Sequence, residues 1–234
     1  MRLRLIAALA ALSVLSAARA SADEGPGDCL GIDFNVLHPV TIARIIADAP
    51  RVQFVKSAFE DKACPADGDA CAASASLAPG DLVLVGKSHG NYTCVSYQSA
   101  ADRKPQWTSG WLPSASMTPV KPSAAAARAD WIGTWVHAGG RVRIRPARNG
   151  RVAIHGVAVY PAVPRANNGV IDAVARPANG LLQFADDGRV PFAQAAASAT
   201  CLMRMQRIEE LLVVEDNKGC GGGMVTFTGF YRKE

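Results

Sequence analysis

The sequence predicts an all-β chain made of two small antiparallel barrels in tandem. Three observations carry this. Short runs of β-branched and aromatic residues recur along the whole chain, each bounded by Gly, Pro, Asp or Asn. No long stretch with a 3.6-residue apolar period alternates with them, as crossover helices of a parallel sheet would. Near the middle, PVKPSAAAARA parts the runs into two groups of about 100 residues, a common single-domain size.

Taken in order, residues 1–20 read as a secretory leader: basic Arg2 and Arg4, the apolar run Leu5 to Ala18, and Ala18-Arg19-Ala20 as a cleavage site. That run is 14 residues long, whereas about 20 are needed to cross a bilayer, and no later segment does better, so no transmembrane segment is expected. Ser21 follows the site, where a lipoprotein would need cysteine. The expectation is a soluble protein exported to the periplasm.

Residues 21–118 form the first predicted domain, with strands in TIARIIA, RVQFVK, DLVLVG, NYTCVSYQ and TSGWLP; TIARIIADA fits a helix as well as a strand. Residues 119–129 are the expected linker, whose alanines could also form a short helix. Residues 130–234 form the second domain. There WIGTWV, RVRIRP, RVAIHGVAVY, GVIDAVAR, GLLQFAD, CLMRMQRIEELLVVED and MVTFTGFYRK supply seven or eight strands, and eight can close a barrel.

Without the leader, 22 basic residues face 20 acidic ones, which carries no nucleic-acid signature. Residues 21–129 hold 9 basic and 11 acidic residues, and residues 130–234 hold 13 and 9, so any preference for anions belongs to the second half. Six cysteines in an exported chain predict three disulfides. Cys201 and Cys220 alone lie past the midpoint and should pair. The first four allow three connectivities, of which Cys64–Cys71, closing CPADGDAC, and Cys29–Cys94 are favoured.

Gly86-Lys87-Ser88-His89-Gly90 matches the G-x-S-x-G elbow of α/β-hydrolases, which works only where a strand turns sharply into a helix. Here Asn-Tyr-Thr-Cys-Val-Ser-Tyr follows, rich in β formers, so a turn between strands is expected, with Ser88 as the nucleophile of the minor hydrolase reading. His38, His89, His137 and His155 are scattered without metal-ligand spacing, and the glycines around Cys220 lack the lysine and hydroxyl of a phosphate loop. No cofactor or metal is expected.

LAPGDLVLVG, NYTCVSY and SGWLPSASM, in that order over Val52 to Val120, resemble bacterial SH3-like domains, the last leading into a closing 3₁₀ turn. CPADGDAC and the N-terminal CLGIDFNVLHP are extra to such a domain, so a groove taken from the family would be altered here. Gly133-Thr134-Trp135 and the closing Phe230-Tyr231-Arg232 resemble the ends of lipocalin-like barrels, which implies Trp135 against Arg232. The whole chain is similar to a group of exported proteobacterial proteins with an SH3-like domain before a lipocalin-like or lysozyme-inhibitor-like barrel; the tail CGGGMVTFTGFYRK carries the last likeness.

Two sets of residues are candidates for ligand binding. Tyr92, Trp107 and Trp111, with Tyr97, cluster where the resemblance puts an aromatic groove; Trp111 and Tyr97 serve equally as core. Alternation puts Arg141, Arg143 and Arg145 on one strand face, able to fork onto a carboxylate or phosphate, or simply solvated. The functional expectation is a non-catalytic binding protein of the cell envelope, its ligand a peptide or glycan. Its partner would be peptidoglycan or an envelope protein; the alternative is an inhibitor whose partner is a lysozyme-type hydrolase.

Overall fold

In a computed structural model the described residues are 24–32, 36–99, 107–123, 127–160, 165–185, 192–195 and 201–234. The expected leader and its cleavage site lie outside them. The fold is all-β: two antiparallel sheets, one of seven strands and one of eight, the second nearly closed into a barrel. Among the described residues no helix is long and apolar enough to cross a membrane.

The first sheet comprises β1 (Thr41–Ile45), β2 (Val52–Val55), β3 (Ala72–Leu77), β4 (Leu82–His89), β5 (Tyr92–Gln98), β6 (Trp107–Pro113) and β7 (Met117–Val120), in the order β3-β2-β6-β5-β4-β1-β7. The ambiguous TIARI is therefore a strand. It pairs with β4 and β7, and alternation sends Ala43 and Ile45 into a core with Val52, Phe54, Leu77, Val83, Val95 and Leu112. A 3₁₀ turn at Ser114–Ser116 follows SGWLP, and β7 runs on through Val120. The expected linker at 119–129 thus begins two residues too early: Pro119 and Val120 pair with Ala43 and Ile42.

Gly86 to His89 of GKSHG form the second half of β4 rather than a loop. Its register against β5 shifts between Val85 and Ser88, and the chain reverses at Gly90-Asn91, where Gly90 takes φ 57, the left-handed value that favours glycine. A strand follows, so the nucleophile-elbow context is missing at Ser88.

A four-residue helix α1 (Arg128–Trp131) leads into the second sheet: β8 (Gly133–His137), β9 (Gly140–Pro146), β10 (Val152–Tyr160), β11 (Asn167–Ala175), β12 (Leu181–Ala185), β13 (Leu202–Ile208), β14 (Leu211–Asp216) and β15 (Gly229–Lys233). The order β11-β10-β9-β8-β15-β14-β13-β12 makes the C-terminal strand the joint between the two halves. Its interior is filled by side chains, among them Trp131, Trp135, Val142, Ile144, Met203, Met205, Phe227 and Tyr231. The Trp135 indole donates to Trp131 O at 2.9 Å and the Tyr231 hydroxyl to Phe227 O at 2.8 Å, satisfying polar groups that burial would otherwise make costly. Gly169 of β11 and Gly221 touch backbone to backbone; a Cβ on Gly169 would sit 2.4 Å from Cys220 O, so neither position has room for a side chain.

All three expected disulfides are present: Cys29–Cys94, Cys64–Cys71 and Cys201–Cys220. The expected contact of Trp135 with Arg232 is not. In the β8–β15 register Trp135 faces Lys233, and the two-residue period turns Arg232 the other way. The cations on the Trp135 ring are Arg207, 4.6 Å from its centre, and Lys233, at 5.6 Å.

The strands β13 and β14 are buried on both faces. One face lines the barrel; the other receives Ile42 and Leu84 of the first sheet against Ile208 and Val213, and Val36 against Leu202. A polar row crosses this contact. Gln183, Arg204 and Glu215 stand directly opposite one another on β12, β13 and β14, and Arg204 donates to Leu37 O at 2.8 Å. The two sheets are joined through a sealed polar seam as well as apolar packing.

Candidate functional site

The aromatic residues of the expected groove do not come together. Trp111 is fully buried and its indole donates to Gly27 O at 2.9 Å. Tyr92 is also buried and its hydroxyl donates to Asp67; that bond and burial push the phenol up to about 12. The N-terminal extension packs over this region through Cys29–Cys94, with Ile32 N donating to Ser96 at 3.2 Å. Trp107, 39% exposed, lies at the other end of the β5–β6 hairpin: it pairs with Gln98, whereas Tyr92 pairs with Pro113. Six residues of strand separate those ends, about 20 Å at ~3.3 Å per residue, so Tyr92 and Trp107 cannot line one groove.

Arg141, Arg143 and Arg145 do lie exposed on one face of β9, with Val142 and Ile144 buried behind. Arg141 pairs with Glu234 at 3.0 Å; Arg143 stands opposite Thr134 and His155, and His155 bonds Asp172 at 2.8 Å. The arrangement is an open sheet face rather than a pocket, and exposed pairs of this kind contribute little energy.

Enclosure is found between the two sheets. A cleft of about 600 Å³ runs between the β3–β4 turn and the end of β5 on one wall and the β13–β14 turn, β15 and the end of β8 on the other. Sites for small ligands commonly occupy roughly 300–1,000 Å³ and often lie between domains. Two bridges bracket it. At one end Arg44 holds Glu209 and donates to Gly80 O at 3.1 Å. At the other, Phe230 N donates to Gln98 Oε1 at 2.7 Å and the Phe230 ring lies 6.0 Å from that of Trp107. Of the expected aromatic set, Tyr97 lines the cleft and Trp107 reaches its edge through Phe230.

Between the bridges Tyr97, Asp81, Arg232, His137 and Glu210 line the cleft. Burial raises the Tyr97 phenol, Asp81 raises it further, and Arg232 and Arg51 oppose them, so charges of both signs act on one hydroxyl. His137 accepts from Gly139 N at Nδ1, 3.1 Å away, which leaves the proton on Nε2. That atom is buried with no hydrogen-bond partner among the described residues, and burial lowers the imidazole to about 4, so it is neutral near pH 7. Arg232 and Glu210 make no hydrogen bond or ion pair within the described residues, unlike Arg44 and Glu209.

Sequence reasoning missed this site because its residues come from six separate segments of the chain, each ordinary by itself. The one available signal was the side-chain period of β15: with Tyr231 inside the barrel, Phe230 and Arg232 had to face out. Among the described residues, no three His, Cys, Asp or Glu side chains are grouped to hold a metal ion. Neither family models, nor curated proteins, nor solved structures match this chain.

Proposed function

We propose that this is an exported, non-catalytic binding protein of the cell envelope that holds a peptide or glycan between its two barrels. The observation that carries the reading is the cleft: a concave site of ligand size with unpaired charges and aromatic rings. Export is supported by the leader-like residues 1–20 and by the pairing of every cysteine. The placement of the ligand departs from the expected aromatic groove, which the chain's own N-terminal extension covers.

The test is co-sedimentation of the purified protein with peptidoglycan sacculi, paired with thermal shift against soluble envelope fragments. Binding should raise the melting temperature, since a ligand that meets only the folded state stabilises it. Ala138→Trp, at a turn in the cleft wall, should abolish both signals without lowering stability. Inhibition of lysozyme without sacculus binding would replace this reading by the inhibitor. A hydrolytic activity lost on Ser88→Ala would overturn the non-catalytic one.

A further inference from the structure

The polar groups left over in the cleft wall restrict what can occupy it. Arg44 and Glu209 neutralise each other at the rim, and Asp81 Oδ2 accepts from Ala78 N at 2.8 Å. What remains is the guanidinium of Arg232 and the carboxylate of Glu210, neither with a bonded partner among the described residues although Glu210 lies in the field of Arg207, together with the second oxygen of Asp81 and the neutral His137. Tyr97 lies within the field of both Asp81 and Arg232, so groups of opposite sign act on the same part of the cleft.

A ligand of one sign would leave the opposite charge desolvated and unpaired, which is penalised more than an exposed pair is rewarded. An uncharged sugar chain would meet hydroxyl-compatible groups but cover Arg232 and Glu210 without neutralising either. A molecule carrying an anion and a cation satisfies both. From this placement we infer that the cleft takes a dipolar peptide, its carboxylate forked onto Arg232 and its amine toward Asp81 and Glu210, with Tyr97 and Phe230 flanking the backbone. The forked geometry of guanidinium on carboxylate makes Arg232 the specificity-determining contact.

This rests on the cleft being the binding site, and the probes keep the two ideas apart. Tetra-alanine with free termini, N-acetyl-tetra-alanine, tetra-alanine amide and the uncharged tetramer of N-acetylglucosamine are titrated into the full chain, followed by NMR shifts of aromatic and backbone signals. Free tetra-alanine should move the signals of Tyr97 and Phe230, and amidation should weaken it by about tenfold, as expected for one charge-assisted contact. Arg232→Gln should weaken free tetra-alanine by a similar factor and remove the difference between the free and amidated forms. Glu210→Gln should weaken free tetra-alanine and narrow the difference between the free and acetylated forms, with Asp81 retaining the rest. Both side chains lie on the surface, so neither change threatens the fold.

If the sugar tetramer binds at Tyr97 and the peptides do not, the dipolar assignment is wrong while the cleft stands as the site. Equal binding of free and capped peptides also overturns the assignment. If none of the four shifts any cleft signal at millimolar concentration, the inference and the cleft reading fall together.

Discussion

Replacing Glu215 by glutamine should change how stability depends on pH more than it changes stability at any one pH. Glu215 is fully buried on the outer face of β14, in the seam between the sheets. The groups facing it are Arg204 and Gln206 of β13 and a backbone bond at Val40; Gln206 Nε2 donates to Oε2 at 3.2 Å, while Oε1 has no partner. Burial outweighs these and raises the carboxyl from 4.5 to about 7. Between those values the folded chain keeps a proton that the unfolded chain has released. Its contribution is therefore full below pH 4.5 and lost as pH rises through about 7, and at ~1.4 kcal/mol per pH unit it amounts to about 3 kcal/mol.

His137 acts in the opposite sense. Burial lowers it from 6.5 to about 4, so its contribution is present above pH 6.5 and lost as pH falls through about 4, again about 3 kcal/mol. Across pH 4.5 to 6.5 the two slopes oppose, and the wild type should be nearly level. In Glu215→Gln, whose amide oxygen can still accept from Gln206, only the histidine slope remains, and stability should climb by about 3 kcal/mol over that interval. In His137→Asn, whose side-chain oxygen can replace Nδ1 as acceptor for Gly139, it should fall by a similar amount from pH 4.5 to 7. Urea unfolding of the three proteins at half-unit pH steps reads this directly. A Glu215→Gln profile that parallels the wild type would refute the reasoning, because the carboxyl would then titrate alike in both states.

Three further outcomes are expected. Removing the Cys201–Cys220 bridge by paired serine substitutions should cost about 3 kcal/mol, from the entropy of a loop of sequence separation 19; an unchanged urea midpoint would contradict it. Deleting Gly229–Glu234 should unfold the second barrel, since β15 pairs with both β8 and β14 and its loss leaves two open edges; retention of the near-ultraviolet dichroism of Trp131 and Trp135 would count against this. Arg207→Met should cost about 1–2 kcal/mol in thermal unfolding through loss of its contact with the Trp135 ring, whereas Arg232→Met should stay within ~0.5 kcal/mol; the reverse order would mean the β15 register is wrong.

Much of the architecture was written in local pattern. Residue types and turn signals marked most strands, because strand preference and reversal are properties of a few adjacent residues. RVRIRP shows this best: its alternation placed Val142 and Ile144 inside and three arginines outside before any partner strand was known. Cysteine spacing was enough for Cys201–Cys220 and favoured the other two pairs. Strand β3, AASASL, escaped because alanine and serine carry no strand preference and the segment is held by pairing with β2. The Trp135 partner was missed by one residue, which in a period-two structure means the opposite face.

The sequence by itself therefore determined fold class, the Cys201–Cys220 pairing and the inward or outward sense of single strands, all set by short-range chemistry, and left the pairing of the first four cysteines to be decided. Which surfaces meet was decided only by the tertiary structure. Packing the N-terminal extension onto Trp111 turned an expected groove into core, and docking of the sheets brought Arg44 to Glu209 and Gln98 to Phe230 across more than a hundred residues of chain. The cleft, and the burial that moves Glu215 and His137 away from their ordinary titration, follow from that docking: burial and enclosure depend on distant atoms that no local window contains.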